Sequence, residues 1–191
     1  LISLMGSSNW STRPQVFVYP LFGLFLLILL KWQHQQDRLL GLLPIIVLLW
    51  ANLHGSFILA FLLLGASLIF GEGSRKKLLI VTLISGGVTL VNPYGFQIWT
   101  NMIAMIRNPL IKAYSYEWFP PTNEGWQSGL FFASLLLMSV LAAFSPARGK
   151  RLTWIWFLGF GWMALSSMRY VIWFSIIEAL LLVELALPWL D

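Results

Sequence analysis

The sequence contains no cysteine, which removes disulfides, thiolate metal sites and cysteine nucleophiles together. Charge is also scarce. Asp, Glu, Lys and Arg make up 10% of the 191 residues, against about 25% in a soluble domain. Two histidines are present, His34 and His54. Several standard chemistries are missing as well: no Gly-x-Ser-x-Gly elbow occurs, and Gly71-Glu72-Gly73-Ser74-Arg75-Lys76-Lys77 lacks the glycine spacing and closing Lys-Ser/Thr of a phosphate-binding loop. That segment reads as a simple turn.

What is there is apolar. Hydrophobic residues are 59% of the chain, and the mean hydropathy of +0.80 excludes an ordinary water-soluble globule. A bilayer core takes roughly 20 helical residues to cross, so the length allows at most about eight crossings and leaves little for a separate soluble catalytic domain. The chain begins at Leu1 with no basic n-region or small-residue cleavage site, and reads as a piece of a longer protein. It is expected to form one transmembrane domain over 1–191.

Seven uncharged or nearly uncharged stretches stand out: 15–30, 39–53, 56–70, 78–91, 129–144, 152–168 and 170–187. Their Leu-rich runs lack the strict alternation of barrel strands, and a bilayer-spanning backbone must satisfy its own hydrogen bonds. The expected fold is all-α, a polytopic bundle of about seven membrane helices. Eight of the twelve bases (Lys31, Arg38, Arg75, Lys76, Lys77, Arg148, Lys150 and Arg151) then fall on one side, the inner one by the positive-inside rule, with the N-terminus of the chain outside. The net charge of +5 thus records topology, and no nucleic-acid partner is expected. Trp32, Trp154 and Trp189 fall near the inner boundary, and Trp50, Trp99, Trp118 and Trp126 near the outer one.

Residues 39–71 contain no Asp, Glu, Lys or Arg and span only about 50 Å as helix, short of two full crossings. The turn at Asn52, His54 and Gly55 should lie below the outer surface, or the pair should form a re-entrant hairpin. Small residues at Gly65-Ala66, Ser85-Gly86-Gly87, Gly159 and Gly161 suit close helix packing. The one long connection, 92–127, carries Phe96, Ile98, Trp99, Met102, Ile103 and Ile106 at helical spacing and should begin as an amphipathic helix in the outer interface.

The unusual polar residues gather on the outer side: Arg13-Pro14-Gln15, Asn52-Leu53-His54-Gly55, Asn92-Pro93-Tyr94-Gly95, Glu117-Trp118 and Arg169-Tyr170. Each abuts an apolar segment, so these five connections are expected to line one outward cavity. Plain structural roles compete with this. Gly55 reads as a left-handed helix cap with His54 in the last turn, and Asn92 to Gly95 as a type I turn. Arg13 and Arg169 break the positive-inside pattern; they either snorkel to headgroups or bind phosphate oxygens with their planar forks, with Arg107 and Lys112 as weaker candidates. Glu117 is the best outer carboxylate for a general base, against a structural ion pair. Glu178, about 13 Å below the outer end of the last helix, should pair within the bundle or be protonated. With His34 and His54 on opposite sides, no metal site is expected, and no cofactor.

In this order, the Arg13-Pro14-Gln15, Trp50-Ala51-Asn52-Leu53-His54-Gly55, Asn92-Pro93-Tyr94-Gly95, Glu117-Trp118 and Arg169 pieces resemble a group of bacterial polytopic membrane proteins. That group is similar in organisation to the GT-C class of glycosyltransferases, which use polyprenyl-phosphate-linked sugars. The resemblance covers roughly residues 13–169. It implies a bacterial cytoplasmic (inner) membrane location and a lipid-linked sugar acted on at the outer face. Arg13, Asn52, His54, Asn92, Tyr94, Trp118 and Arg169 would bind substrate, and Glu117 would be an uncertain second carboxylate. GT-C enzymes place a catalytic acid in the first outer loop, and no acidic residue precedes Asp37; the catalytic carboxylate is therefore expected in further N-terminal helices of the full-length protein. The alternatives are a transporter or flippase subunit, with Arg13, Arg169 and Glu178 forming a polar pathway, and a non-catalytic membrane scaffold.

Overall fold

The structure, a computed structural model, describes residues 14–189, apart from the side chains of Lys112 and Gln127. Arg13 lies outside the described residues. All regular structure among them is helical, and each of the seven apolar stretches forms a helix. Contacts gather the chain into two compact units, 14–108 and 109–189 in the described part.

In the first unit, Pro14–Phe17 is a 3₁₀ turn that runs into α1 (Val18–Gln33). Pro20 sits in the first turn of α1, where a missing N–H costs little. Val18, Phe22, Phe25, Leu29 and Trp32 recur at three- and four-residue spacing and are all buried, whereas Leu24 and Leu27 point outward. A 3₁₀ segment, Asp37–Leu42, leads into α2 (Leu43–Leu53), whose start carries Pro44. Helix α3 (Ile58–Phe70) follows the short 3₁₀ turn Gly55–Phe57, and α4 (Arg75–Val88) packs closely along α2. The 11 residues of α2 and the 13 of α3 rise only about 16 and 20 Å. Neither arm of this hairpin alone equals the thickness of a bilayer core.

Helix α5 (Gln97–Arg107) occupies the start of the long connection, as its apolar stripe predicts. Its stripe is anchored in protein. The Trp99 ring stands edge-on to Phe57 at 5.0 Å and to Phe61 at 5.1 Å, and Trp99 Nε1 donates to Thr89 Oγ1 at 2.9 Å.

The second unit begins with α6 (Pro109–Tyr114) and a 3₁₀ turn, Tyr116–Trp118, followed by α7 (Trp126–Phe144), α8 (Arg151–Ser166) and α9 (Val171–Ala186). Phe131 of α7 and Phe174 of α9 meet edge to face at 5.7 Å, above a cluster of Met138, Leu141, Leu181 and Leu185. Glu184 on α9 closes the N-terminus of α8: its carboxylate accepts from Lys150 N–H and Thr153 Oγ, each at 2.9 Å, satisfying donors that a helix start otherwise leaves bare.

Among the described residues, two helices are both long and apolar enough to cross a bilayer, Pro14–Gln33 and Met168–Trp189; Gly55–Phe70 and Ser128–Phe144 are apolar but shorter. Two expectations about glycines need correction. Cβ atoms built on Gly65, Gly86, Gly87 and Gly159 would meet nothing within 4 Å, so these glycines do not mediate close helix contact; a Cβ on Gly161 would lie 3.2 Å from the Phe174 ring, so that glycine does. Trp32 and Trp50 are fully buried, their indole N–H groups donating to Ser74 O and Ser56 Oγ, so their rings face protein and do not form an exposed aromatic belt. Gly55 has no positive φ: α2 ends because His54 is extended (φ −159°) and starts the next 3₁₀ turn, so His54 is not in a helix's last turn.

Candidate functional site

Trp50 organises the first half of the site. Its ring is edge-on to Phe22 at 5.9 Å and Phe25 at 6.3 Å, and Nε1 donates to Ser56 Oγ at 3.0 Å. Ser56 N–H in turn donates to His54 Nδ1 at 3.1 Å, so Nδ1 is the unprotonated nitrogen. The Ser56 hydroxyl, 2.8 Å away, then donates to the same atom, which leaves the proton of the neutral ring on Nε2. Its position at the end of α2 and this network set the imidazole's orientation.

Asn52 ties this turn to the second motif. Its amide donates to Leu48 O at 2.9 Å, one turn back, and to Val91 O at 3.0 Å. Both amide hydrogens are thereby used, and Oδ1 keeps its acceptor capacity. In Asn92-Pro93-Tyr94-Gly95, Gly95 N–H closes the turn onto Asn92 O at 3.2 Å, Asn92 Oδ1 accepts from Tyr94 N–H at 2.7 Å, and Asn92 Nδ2 donates to Thr89 O. The turn expected there is present. Its glycine has a φ of +51°, a conformation that a side chain would strain. The Asn92 side chain is thus engaged in holding the turn, while Tyr94 is exposed.

The two motifs and α5 enclose a cavity of about 290 Å³, lined by Asn52, His54, Asn92 and Tyr94 together with Asn101 and Met102 among others. Four of the residues singled out from sequence therefore converge. Asn101, Met102 and Met105 were missed as site residues; they stand three, four and seven residues after Ile98, which also lines the cavity, and that helical spacing is the signal that could have found them. Met102 reaches the turn itself, because a methyl built on Gly55 would overlap its sulfur. Here glycine is required for close approach.

In the second unit, Glu117-Trp118 and Arg169-Tyr170 come together. Ser167 Oγ donates to Glu117 O at 2.8 Å, and Met168 N–H to Phe119 O at 2.9 Å. These bonds dock the 3₁₀ turn Tyr116–Trp118 on the 3₁₀ turn Met168–Tyr170. Arg169 Cζ lies 4.2 Å from the Trp118 ring centroid and 5.9 Å from that of Tyr170. A guanidinium stacked on rings keeps its N–H edge available for planar anions. Glu117 and Arg169 are both half-buried. On α9, Glu178 is 3% exposed; Oε2 takes Ser134 Oγ at 3.1 Å, and Oε1 has no hydrogen-bond partner among the described residues.

Among the described residues, no three of His, Cys, Asp or Glu are grouped to hold a metal ion. In comparisons with known proteins, no family model, curated protein or solved structure matches the chain.

Proposed function

We propose that this chain belongs to the membrane domain of a glycosyltransferase-like protein. Its seven apolar helices lie in a bacterial cytoplasmic membrane, with the N-terminus of the chain outside, and it acts on a lipid-linked sugar at the outer face. The observation that carries this reading is the convergence of Asn52-Leu53-His54-Gly55 and Asn92-Pro93-Tyr94-Gly95 on one cavity. The walls of that cavity mix carboxamide, imidazole and phenol groups with Met and Leu side chains. Such a surface suits a hydroxyl-rich group carried on an isoprenoid chain: neutral donors and acceptors for hydroxyls, apolar side chains for the lipid. Within the second unit, Arg169 stacked on Trp118 keeps an N–H edge that suits a phosphate oxygen, and Glu117 of the docked turn is the carboxylate of that unit suited to activating a hydroxyl. Large apolar side chains on outward helix faces, Leu24, Ile45, Ile69, Leu136 and Trp162 among them, support lipid contact.

A second reading, transport, is favoured by one observation: Glu178 is buried with one oxygen unpartnered, as residues of ion pathways often are. One experiment separates the two. In the full-length protein, Asn101→Ala, His54→Ala and Arg169→Gln are made singly and consumption of polyprenyl-phosphate sugar is measured. Transferase function predicts a loss of roughly tenfold or more in each, the scale of one or two lost hydrogen bonds to substrate, with Glu178→Gln close to the parent. Unchanged consumption in all three, with Glu178→Gln inactive in substrate flux, supports transport instead.

A further inference from the structure

The other end of the first unit carries a second site. Trp32 Nε1 donates to Ser74 O at 3.2 Å, Gln35 Nε2 to Glu72 O at 2.7 Å, and Glu72 N–H to Gln33 Oε1 at 3.0 Å. Methyl groups built on Gly71 or Gly73 would overlap the Trp32 ring. The connection after α3 is therefore stapled onto the end of α1, and two basic segments distant in sequence, Lys31 with Arg38 and Arg75-Lys76-Lys77, are held together.

Between α1 and the following 3₁₀ segment lies a surface pocket of about 540 Å³ lined by Lys31, Gln35, Gln36, Asp37, Arg38 and Leu39. Its one acid, Asp37, pairs Oδ2 with Lys77 Nζ at 2.8 Å, while Oδ1 is buried without a hydrogen-bond partner among the described residues. Lys31 and Arg38 remain as uncompensated charges. Gln35 adopts a φ of +63°, which L residues other than Asn, Asp and Gly rarely take, and this turns the chain around the pocket. The first turn of α4 adds Arg75, Lys76 and Lys77 where the helix dipole favours negative charge; a bound anion would offset that repulsion. Leu39 is the apolar member of the lining, and Leu42 and Ile45, both exposed, follow it at three-residue spacing along the 3₁₀ segment and the start of α2.

We propose that this pocket binds the headgroup of an anionic phospholipid, with Lys31 and Arg38 on the phosphate, Gln35 and Gln36 on headgroup hydroxyls, and the acyl chains along Leu42 and Ile45. Charge alone would suit any phosphate; the flanking apolar surface selects the lipid. The proposal rests on the membrane location but not on sugar transfer.

The test is native mass spectrometry of the full-length protein in detergent, titrated with phosphatidylglycerol or phosphatidylcholine of matched chains. The parent is expected to retain phosphatidylglycerol roughly tenfold more tightly, and Lys31→Gln/Arg38→Gln to reduce that preference to about twofold or less, as loss of two charges at an anionic surface requires. Arg38→Gln alone, at an exposed position, is expected to give an intermediate loss, and Arg107→Gln none. Millimolar inorganic phosphate is expected to leave the lipid bound. Equal retention of both lipids, a preference that survives the double substitution, an equal loss in Arg107→Gln, or displacement by free phosphate would each overturn the proposal. Sugar turnover is not read, so failure here leaves the reading of the outer cavity untouched.

Discussion

The Asn52 side chain donates to the carbonyl of Val91 at 3.0 Å, a hydrogen bond across 39 residues. It fastens the turn at the end of α2 to the turn that follows α4, and so brings together the two most distinctive motifs of the sequence. Asn52→Ala removes both amide donors. The loss is expected to be about 1–2 kcal/mol, measured by denaturant titration in detergent, and Asn52→Asp should not rescue it, because a carboxylate donates nothing to Val91 O or Leu48 O.

Gly55 and Met102 occupy the same space from opposite sides. Gly55→Ala is expected to displace the Met102 side chain and narrow the cavity, weakening binding of lipid-linked sugar while costing about 1–2 kcal/mol in stability. Gly55→Ala/Met102→Ala should regain part of both. A double-substitution cycle checks this, and strict additivity would show that the two positions do not meet.

Trp50 combines packing with a hydrogen bond, and the two separate by substitution. Trp50→Phe keeps the edge contacts to Phe22 and Phe25 but deprives Ser56 Oγ of its donor, an expected cost of about 1 kcal/mol beyond the lost ring area. Trp50→Ala should cost about 3–5 kcal/mol. Thermal unfolding with intrinsic fluorescence reads both.

Glu184 acts as a cap supplied by a neighbouring helix. Glu184→Ala leaves Lys150 N–H and Thr153 Oγ without their acceptor and is expected to destabilise the α8 start by about 1–2 kcal/mol. Glu184→Gln, which keeps one carbonyl oxygen, should cost less. Hydrogen exchange at residues 150–154 is the local readout, and unaltered protection in Glu184→Ala would contradict the capping role.

Hydrophobic runs made the helices legible, because any uncharged Leu-rich stretch of this length must satisfy its backbone internally. Lengths were less so: the α2–α3 hairpin is short because His54 turns extended to place its ring against Ser56, with Trp50, one helical turn earlier, bonded to the same hydroxyl. The meeting of residues 52–55 with 92–95 could be anticipated from their shared position at segment ends. The contribution of α5 could not, since Asn101 and Met105 look like the polar and ragged edge of an amphipathic stripe until Trp99 fixes the helix's rotation. The packing of Trp32 and Trp50 was equally hidden: both are wedges under turns, and hydropathy carries no trace of that. Glycines were hardest to assign, because Gly65 and Gly86 have open space beside them while Gly71 and Gly73, in a plain-looking turn, lie against an indole.

The proposed occupant of the cavity of Asn52, His54, Tyr94 and Asn101 is a lipid-linked sugar. The most direct measurement is photocrosslinking of a diazirine-bearing polyprenyl-phosphate sugar to the full-length protein, with labelled residues mapped by peptide mass spectrometry. Labels are expected within 52–55, 92–94 and 101–105, competed away by unlabelled lipid-linked sugar and diminished in Asn101→Ala. Competable labelling confined to other segments, with these three untouched, would contradict it.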